Sequence, residues 1–199
     1  MRRRDLIAGA GSLAVLGGAG ALSVLGRGSL DDALAEAGSA ASGGSSEEGG
    51  GGTDEPTRVR LDTIDAPGSS DGEMTLPAPG EPTFLDFFGT WCPPCEEQMP
   101  ALAAAHERVG DEVAFVSVTT EAVGRSVTEA EVVEWWETNG GNWPVAVDLQ
   151  AELAAAYLQG GYPSAVAVDA NGRVTWGERG VKTADELVAG IETALGADE

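Results

Sequence analysis

From residue 58 onward, apolar and polar positions fall into short runs of two kinds, with periods of two and of about 3.6. RVRLDTI (58–64) alternates and predicts an edge strand, and GEMTL (72–76) predicts a second short one. After the chain-breaking PAPGEP, TFLDFF (83–88) is almost continuously apolar, the pattern of a central strand covered on both faces. EEQMPALAAAHERVG (96–110) predicts a helix with a kink near Pro100. EVAFVSVTT (112–120) reads as another buried strand. TEAEVVEWWETNG (128–140) opens with a capping box, Thr128 with Glu131, and closes on Asn139-Gly140, so it predicts a helix. WPVAVD (143–148) is a short strand, and LQAELAAAYLQGG (149–161) a helix stopped by its glycines. SAVAVDANGRVTWGER (164–179) gives two strands joined at Asn171-Gly172, and TADELVAGIETAL (183–195) an amphipathic helix. The order ββ, βα, βα, βα, ββα implies an α/β sandwich of three layers, a mixed central sheet flanked by helices.

The first 55 residues lack this patterning. Residues 1–30 read as an N-terminal export signal or membrane anchor: three arginines precede an uncharged run, Leu6 to Gly26, about as long as the roughly 20 residues of a membrane crossing. Arg3-Arg4-Asp5-Leu6-Ile7 resembles a twin-arginine export signal. Ala33-Leu34-Ala35 has the small-x-small pattern of a cleavage site, but among acids, and a retained anchor is the favoured expectation over a cleaved signal. Residues 31–55 are rich in Gly, Ser and acids and predict a flexible tether. Residues 56–199 suffice for one domain.

Charge narrows the partners. From Asp54 to Glu199 there are 27 acids and 7 bases, a net −20. Such a surface repels phosphate backbones, which excludes nucleic acid as a partner. Lys182 is the only lysine. An acid-rich, lysine-poor surface resembles the proteins of salt-loving organisms, where high salt screens self-repulsion.

Both cysteines of the chain lie in FFGTWCPPCEEQMP (87–100). A strand running into this stretch places Cys92 at or just before a helix N-terminus, where unpaired amides and the helix dipole stabilise a thiolate. Pro93 suits the first turn, having no N–H to leave unpaired. Cys95, one turn on, can close a disulfide, which makes Cys92 the nucleophile and Cys95 the resolving thiol. A purely structural disulfide would close a very small loop and add little stability. A zinc site wants four ligands, and His106 is the only histidine, read as exposed or capping. Glu96 and Glu97 suit the start of a helix and oppose its effect on Cys92. Trp135, Trp136, Trp143 and Trp176 read as packing residues.

FLDFFGTWCPPCEEQMP resembles the active-site stretch of the thioredoxin superfamily, specifically its TlpA/ResA-like extracytoplasmic branch, with Trp-Cys-x-Pro-Cys followed by Glu and a helix proline. The resemblance runs from about Arg58 to Leu195 and implies a thioredoxin-like fold. It implies a cis Tyr162–Pro163 bond in GGYPSAVAV facing the dithiol, with the Tyr162 backbone pairing with an extended substrate and the proline discouraging metal capture. Asp86, six residues before Cys92, matches the buried acid that thioredoxins keep beneath the second cysteine, with a raised pKa suited to passing protons to and from Cys95. Trp91 is expected to border the dithiol, so Trp91, Pro93, Tyr162 and Pro163 form the expected substrate-binding rim, with Thr90 beside it. The implied activity is thiol-disulfide oxidoreduction with no cofactor beyond the Cys92–Cys95 couple and no metal. Its expected partners are protein disulfides or dithiols, such as apocytochrome thiols before haem attachment, and a membrane thiol electron donor. The expected molecule is a monomer at the extracytoplasmic face of the cell membrane, anchored through its N-terminus, or secreted after cleavage. From another class, the alternative is a copper-binding chaperone, which needs a further ligand; His106 stands 11 residues past Cys95, about 16 Å of helix rise.

Overall fold

The computed structural model describes residues 56–198. Seven strands form one sheet in the order β2-β1-β5-β4-β3-β6-β7. The strands are β1 (Val59–Thr63), β2 (Gly72–Leu76), β3 (Thr83–Phe88), β4 (Ala114–Thr119), β5 (Val145–Val147), β6 (Ser164–Val168) and β7 (Val174–Arg179). β3, β4 and β5 run parallel, while β1 and β6 join them antiparallel from either side. Helices α1 (Pro93–Val109), α2 (Glu129–Thr138), α3 (Glu152–Tyr157) and α4 (Ala184–Leu195) follow β3, β4, β5 and β7. The fold is a thioredoxin-like α/β sandwich.

β3 is buried at all six positions because both of its faces are covered. Alternate residues of a strand point to opposite faces. Phe84 and Phe88 join a core with α1, α2 and α4, including Met99, Leu102, Trp136 and Ile191. Leu85 and Phe87 face the other way, against Leu153 and Tyr157 of α3 and Leu61 of β1. Each such buried side chain contributes about 1.5–3 kcal/mol, so β3 is pinned from both sides.

The helices follow from local sequence. α1 buries Cys95, Met99, Leu102, Ala105 and Val109, one stripe at three-to-four-residue spacing, and runs continuously through Pro100. α2 and α4 each start on a complete capping box, Thr128 with Glu131 and Thr183 with Glu186. α3 is only six residues long, shorter than its alanine-rich run predicts. The buried Asp148 carboxylate accepts from the N–H groups of Glu152 and Ala154 at 3.0 and 2.8 Å and fixes its start. Its end is set where the chain turns extended at Leu158, ahead of the glycines. The β6–β7 hairpin closes at Asp169, which exchanges backbone hydrogen bonds with Arg173 and Gly172, and Gly172 supplies the positive φ of 84°.

The expected export segment (1–30) and tether (31–55) lie outside the described residues. The expectation of a membrane-anchored protein is corrected: among the described residues no helix is long and apolar enough to cross a membrane. The longest of them, α1, has 17 residues against the roughly 20 of a crossing, and only one side of it is apolar.

Candidate active site

The end of β3 delivers the chain into α1 through Gly89-Thr90-Trp91. Cys92 is the N-cap of α1 at φ −104° and ψ 98°, and Pro93 and Pro94 open the helix. The Cys92 carbonyl accepts from Cys95 N–H at 2.9 Å, which folds the four residues into a turn. The sulfurs of Cys92 and Cys95 are joined in a disulfide, with Cα atoms 5.3 Å apart. Both residues are covered, Cys92 3% and Cys95 1% exposed, while Trp91 stands 65% exposed beside them.

Other segments meet the residues that flank the disulfide, Trp91 before it and Gln98 after it. Tyr162–Pro163 is cis, as is Leu76–Pro77. The Tyr162 ring meets Trp91 edge-on at 5.7 Å, and its hydroxyl pairs with that of Thr120. The Pro163 carbonyl accepts from Gly180 N–H at 2.9 Å. Gln98, buried one turn past Cys95, grips the backbone of Lys182 in both directions: Lys182 N–H donates to Oε1 at 2.6 Å and Nε2 donates to the Lys182 carbonyl at 3.2 Å. A groove of about 510 Å³ opens between Trp91, Tyr162, Thr120, Val127 and Glu131.

Asp86 shares its face of β3 with Phe84 and Phe88, whose core cluster also holds Cys92 and Cys95. It is 1% exposed and sits in register with Ser117 of β4 and Ala165 of β6. Burial pushes its carboxyl from 3.8 up to about 7, against a smaller lowering by the Ser117 hydroxyl, which donates to Oδ2 at 2.9 Å.

Glu121, just past β4, is a site residue that sequence reasoning missed. Its carboxylate accepts from Thr90 N–H at 2.7 Å, Thr90 Oγ1–H at 2.9 Å and Thr119 Oγ1–H at 3.2 Å. It therefore clamps the residue two before Cys92. No spacing rule joins positions 31 residues apart; the only signal was an acid directly after a buried strand. Trp143, read only as packing, also donates from Nε1 to Ser117 Oγ at 2.9 Å. His106 is packed, not free at the surface, its ring against Phe115 and Trp143 at 5.1 and 5.5 Å. Among the described residues no three His, Cys, Asp or Glu side chains are grouped to hold a metal ion.

The Redoxin family model matches residues 66–195. The chain belongs to the Redoxin family. This redoxin is 30% identical over 117 residues to thiol-disulfide oxidoreductase ResA of Geobacillus thermodenitrificans, covering 57% of this chain and 63% of that protein. It thus spans less than two thirds of that relative's length. Its fold is similar to that of StoA from Bacillus subtilis, at TM-score 0.56 and 24% identity over 67% of this chain and 96% of that one. It is also similar to a secreted Mycobacterium tuberculosis disulfide oxidoreductase, at TM-score 0.53 and 22% identity over 65% of this chain and 93% of that one.

Proposed function

We propose that this redoxin is a thiol-disulfide oxidoreductase that exchanges its Cys92–Cys95 couple with protein substrates outside the cytoplasm. One observation carries the reading: the disulfide occupies the first turn of α1, with Cys92 as N-cap and exposed Trp91 at its rim. The dipole of α1 favours a thiolate on Cys92 at its N-terminus; Pro93 and Pro94 carry no N–H, and Cys95 N–H is already bonded to the Cys92 carbonyl, so the dipole and not a free amide supplies this effect. In the reducing direction this thiolate attacks a substrate disulfide; a Cys92–substrate bond forms and one substrate sulfur leaves as thiolate. Cys95, deprotonated by Asp86, then attacks Cys92 Sγ, forms the intramolecular disulfide and releases the second substrate thiolate. Two electrons pass from the Cys92–Cys95 pair to the substrate, and an external dithiol restores them.

Trp91, Pro93, Tyr162 and Pro163 form the surface against which an extended substrate lies, beside the groove between Trp91 and Tyr162. The resemblance of the Trp-Cys-x-Pro-Cys stretch to the TlpA/ResA-like branch favours exported protein thiols as substrates, apocytochrome c thiols before haem attachment among them. The acid excess supports a protein adapted to high salt.

The test is insulin reduction by dithiothreitol with catalytic amounts of protein, together with trapping. We expect Cys95→Ser to accumulate a mixed disulfide at Cys92 and Cys92→Ser to accumulate none. Absence of both acceleration and adduct overturns the reading.

A further inference from the structure

Trp143, Ser117 and Asp86 form a line of two hydrogen bonds whose direction chemistry fixes. An indole N–H only donates, so in the 2.9 Å contact Ser117 Oγ is the acceptor. Ser117 has one hydroxyl hydrogen, and its partner is Asp86 Oδ2 at 2.9 Å. The three residues are 1%, 0% and 1% exposed, so bulk water does not compete for these groups. Trp143 is itself held in place by rings from three elements: Trp136 of α2 at 5.0 Å, Phe115 of β4 at 5.5 Å and His106 of α1 at 5.5 Å.

We propose that Ser117 and Trp143 are positioning residues: Trp143 orients the Ser117 hydroxyl, which reserves Oδ2 of Asp86 as an acceptor and leaves Oδ1 to exchange the proton of Cys95. This rests on the reading that Asp86 serves Cys95. The carbonyl oxygen of a neutral carboxyl accepts better than its hydroxyl oxygen. With Oδ2 taken by Ser117, the proton of neutral Asp86 therefore sits on Oδ1. When Asp86 is ionised and Cys95 attacks the Cys92–substrate disulfide, the Cys95 S–H proton passes to the free Oδ1 of the carboxylate and makes Asp86 neutral, the Cys92–Cys95 bond forms and the substrate leaves as thiolate. Oδ1 later returns that proton to solvent.

Beside Asp86 in the sheet stand Ser117 of β4 and Ala165 of β6, and on its face of β3 Phe84 and Phe88 share a core cluster with Cys92 and Cys95 at the start of α1; the His106 ring meets those of Phe115 and Trp143. In the oxidised protein burial raises the proton affinity of Asp86, and the Ser117 hydroxyl acts against it by stabilising the carboxylate.

The experiment follows the Asp86 carboxyl by ¹³C NMR titration of the oxidised full-length protein, assigned with Asp86→Asn, alongside the pH–rate profile of insulin reduction. Ser117→Ala should raise the titration midpoint by about one pH unit. Trp143→Phe keeps a ring in the cluster and should raise it by about a few tenths of a unit, since an unpolarised hydroxyl donates more weakly. In the Ser117→Ala background, Trp143→Phe should add no shift; a mere packing role would leave the titration unmoved or shift it equally in both backgrounds, and either result overturns the proposal. Should Ser117→Ala fail to fold, the Trp143→Phe midpoint alone decides, an unshifted value sinking the proposal. If Ser117→Ala moves the titration but Asp86→Asn leaves the pH–rate profile unchanged, the hydrogen-bond direction stands. What fails then is Asp86 as the proton partner of Cys95, and the positioning role falls with it.

Discussion

Asp86 makes folding sensitive to pH in a direction opposite to that of a salt-bridged acid. Its folded pKa, about 7, lies above its ordinary value of 3.8, so the folded state binds the proton more tightly than the unfolded chain. The stability this provides is fully present below about pH 4 and is lost as pH rises through about 7, because above that the protein must hold a buried charge. The loss is on the order of 2–4 kcal/mol over that window. Asp86→Asn cannot ionise. In urea midpoints measured from pH 5 to 8.5, the wild type is expected to fall relative to the variant as pH rises; parallel curves would show that Asp86 does not carry the shift. Comparing slopes removes the constant cost of the new amide.

Among the elements, the turn carrying Cys92 depends on a contact from the neighbouring strand. Glu121 follows β4, and β4 lies parallel to β3, so both strands end at the same edge of the sheet and the carboxylate meets Thr90 there. Glu121→Ala removes both acceptor oxygens and leaves Thr90 N–H without its partner. It is expected to cost about 1–3 kcal/mol and to speed hydrogen exchange at Thr90 N–H by at least about 10-fold, with Leu85 N–H changed far less. Equal protection of Thr90 in both proteins would refute the clamp. The same geometry explains what the sequence could disclose. β3 and β4 were legible because continuous apolar runs have one physical use, and α2 because its capping box lies within four residues. The length of α3 was not legible, since the buried carboxylate of Asp148 acts on it from outside its apolar run. Cys92 and Cys95 announced themselves by local spacing, and Asp86 and Pro163 by resemblance. Glu121, Ser117 and the second use of Trp143 come together only when the sheet forms.

At the scale of the whole molecule, charge opposes a well-filled interior. The described ion pairs, Arg60–Glu73, Arg108–Asp185 and Lys182–Glu178, each include a partner more than half exposed. Exposed pairs are worth about 0–1 kcal/mol each, and with 27 acids facing 7 bases beyond residue 53 most carboxylates have no cation to meet. The two core layers must therefore hold the fold against mutual repulsion. Salt weakens that repulsion: the Debye length is about 30 Å at 0.01 M, spanning many surface carboxylates, and about 3 Å at 1 M, shorter than most of their separations. Helical circular dichroism should therefore be retained in molar sodium chloride and decline on dialysis to about 10 mM, returning when salt is restored. A spectrum unchanged at low salt would mean that the core alone outweighs the repulsion, and that the acid excess is no sign of a high-salt habitat.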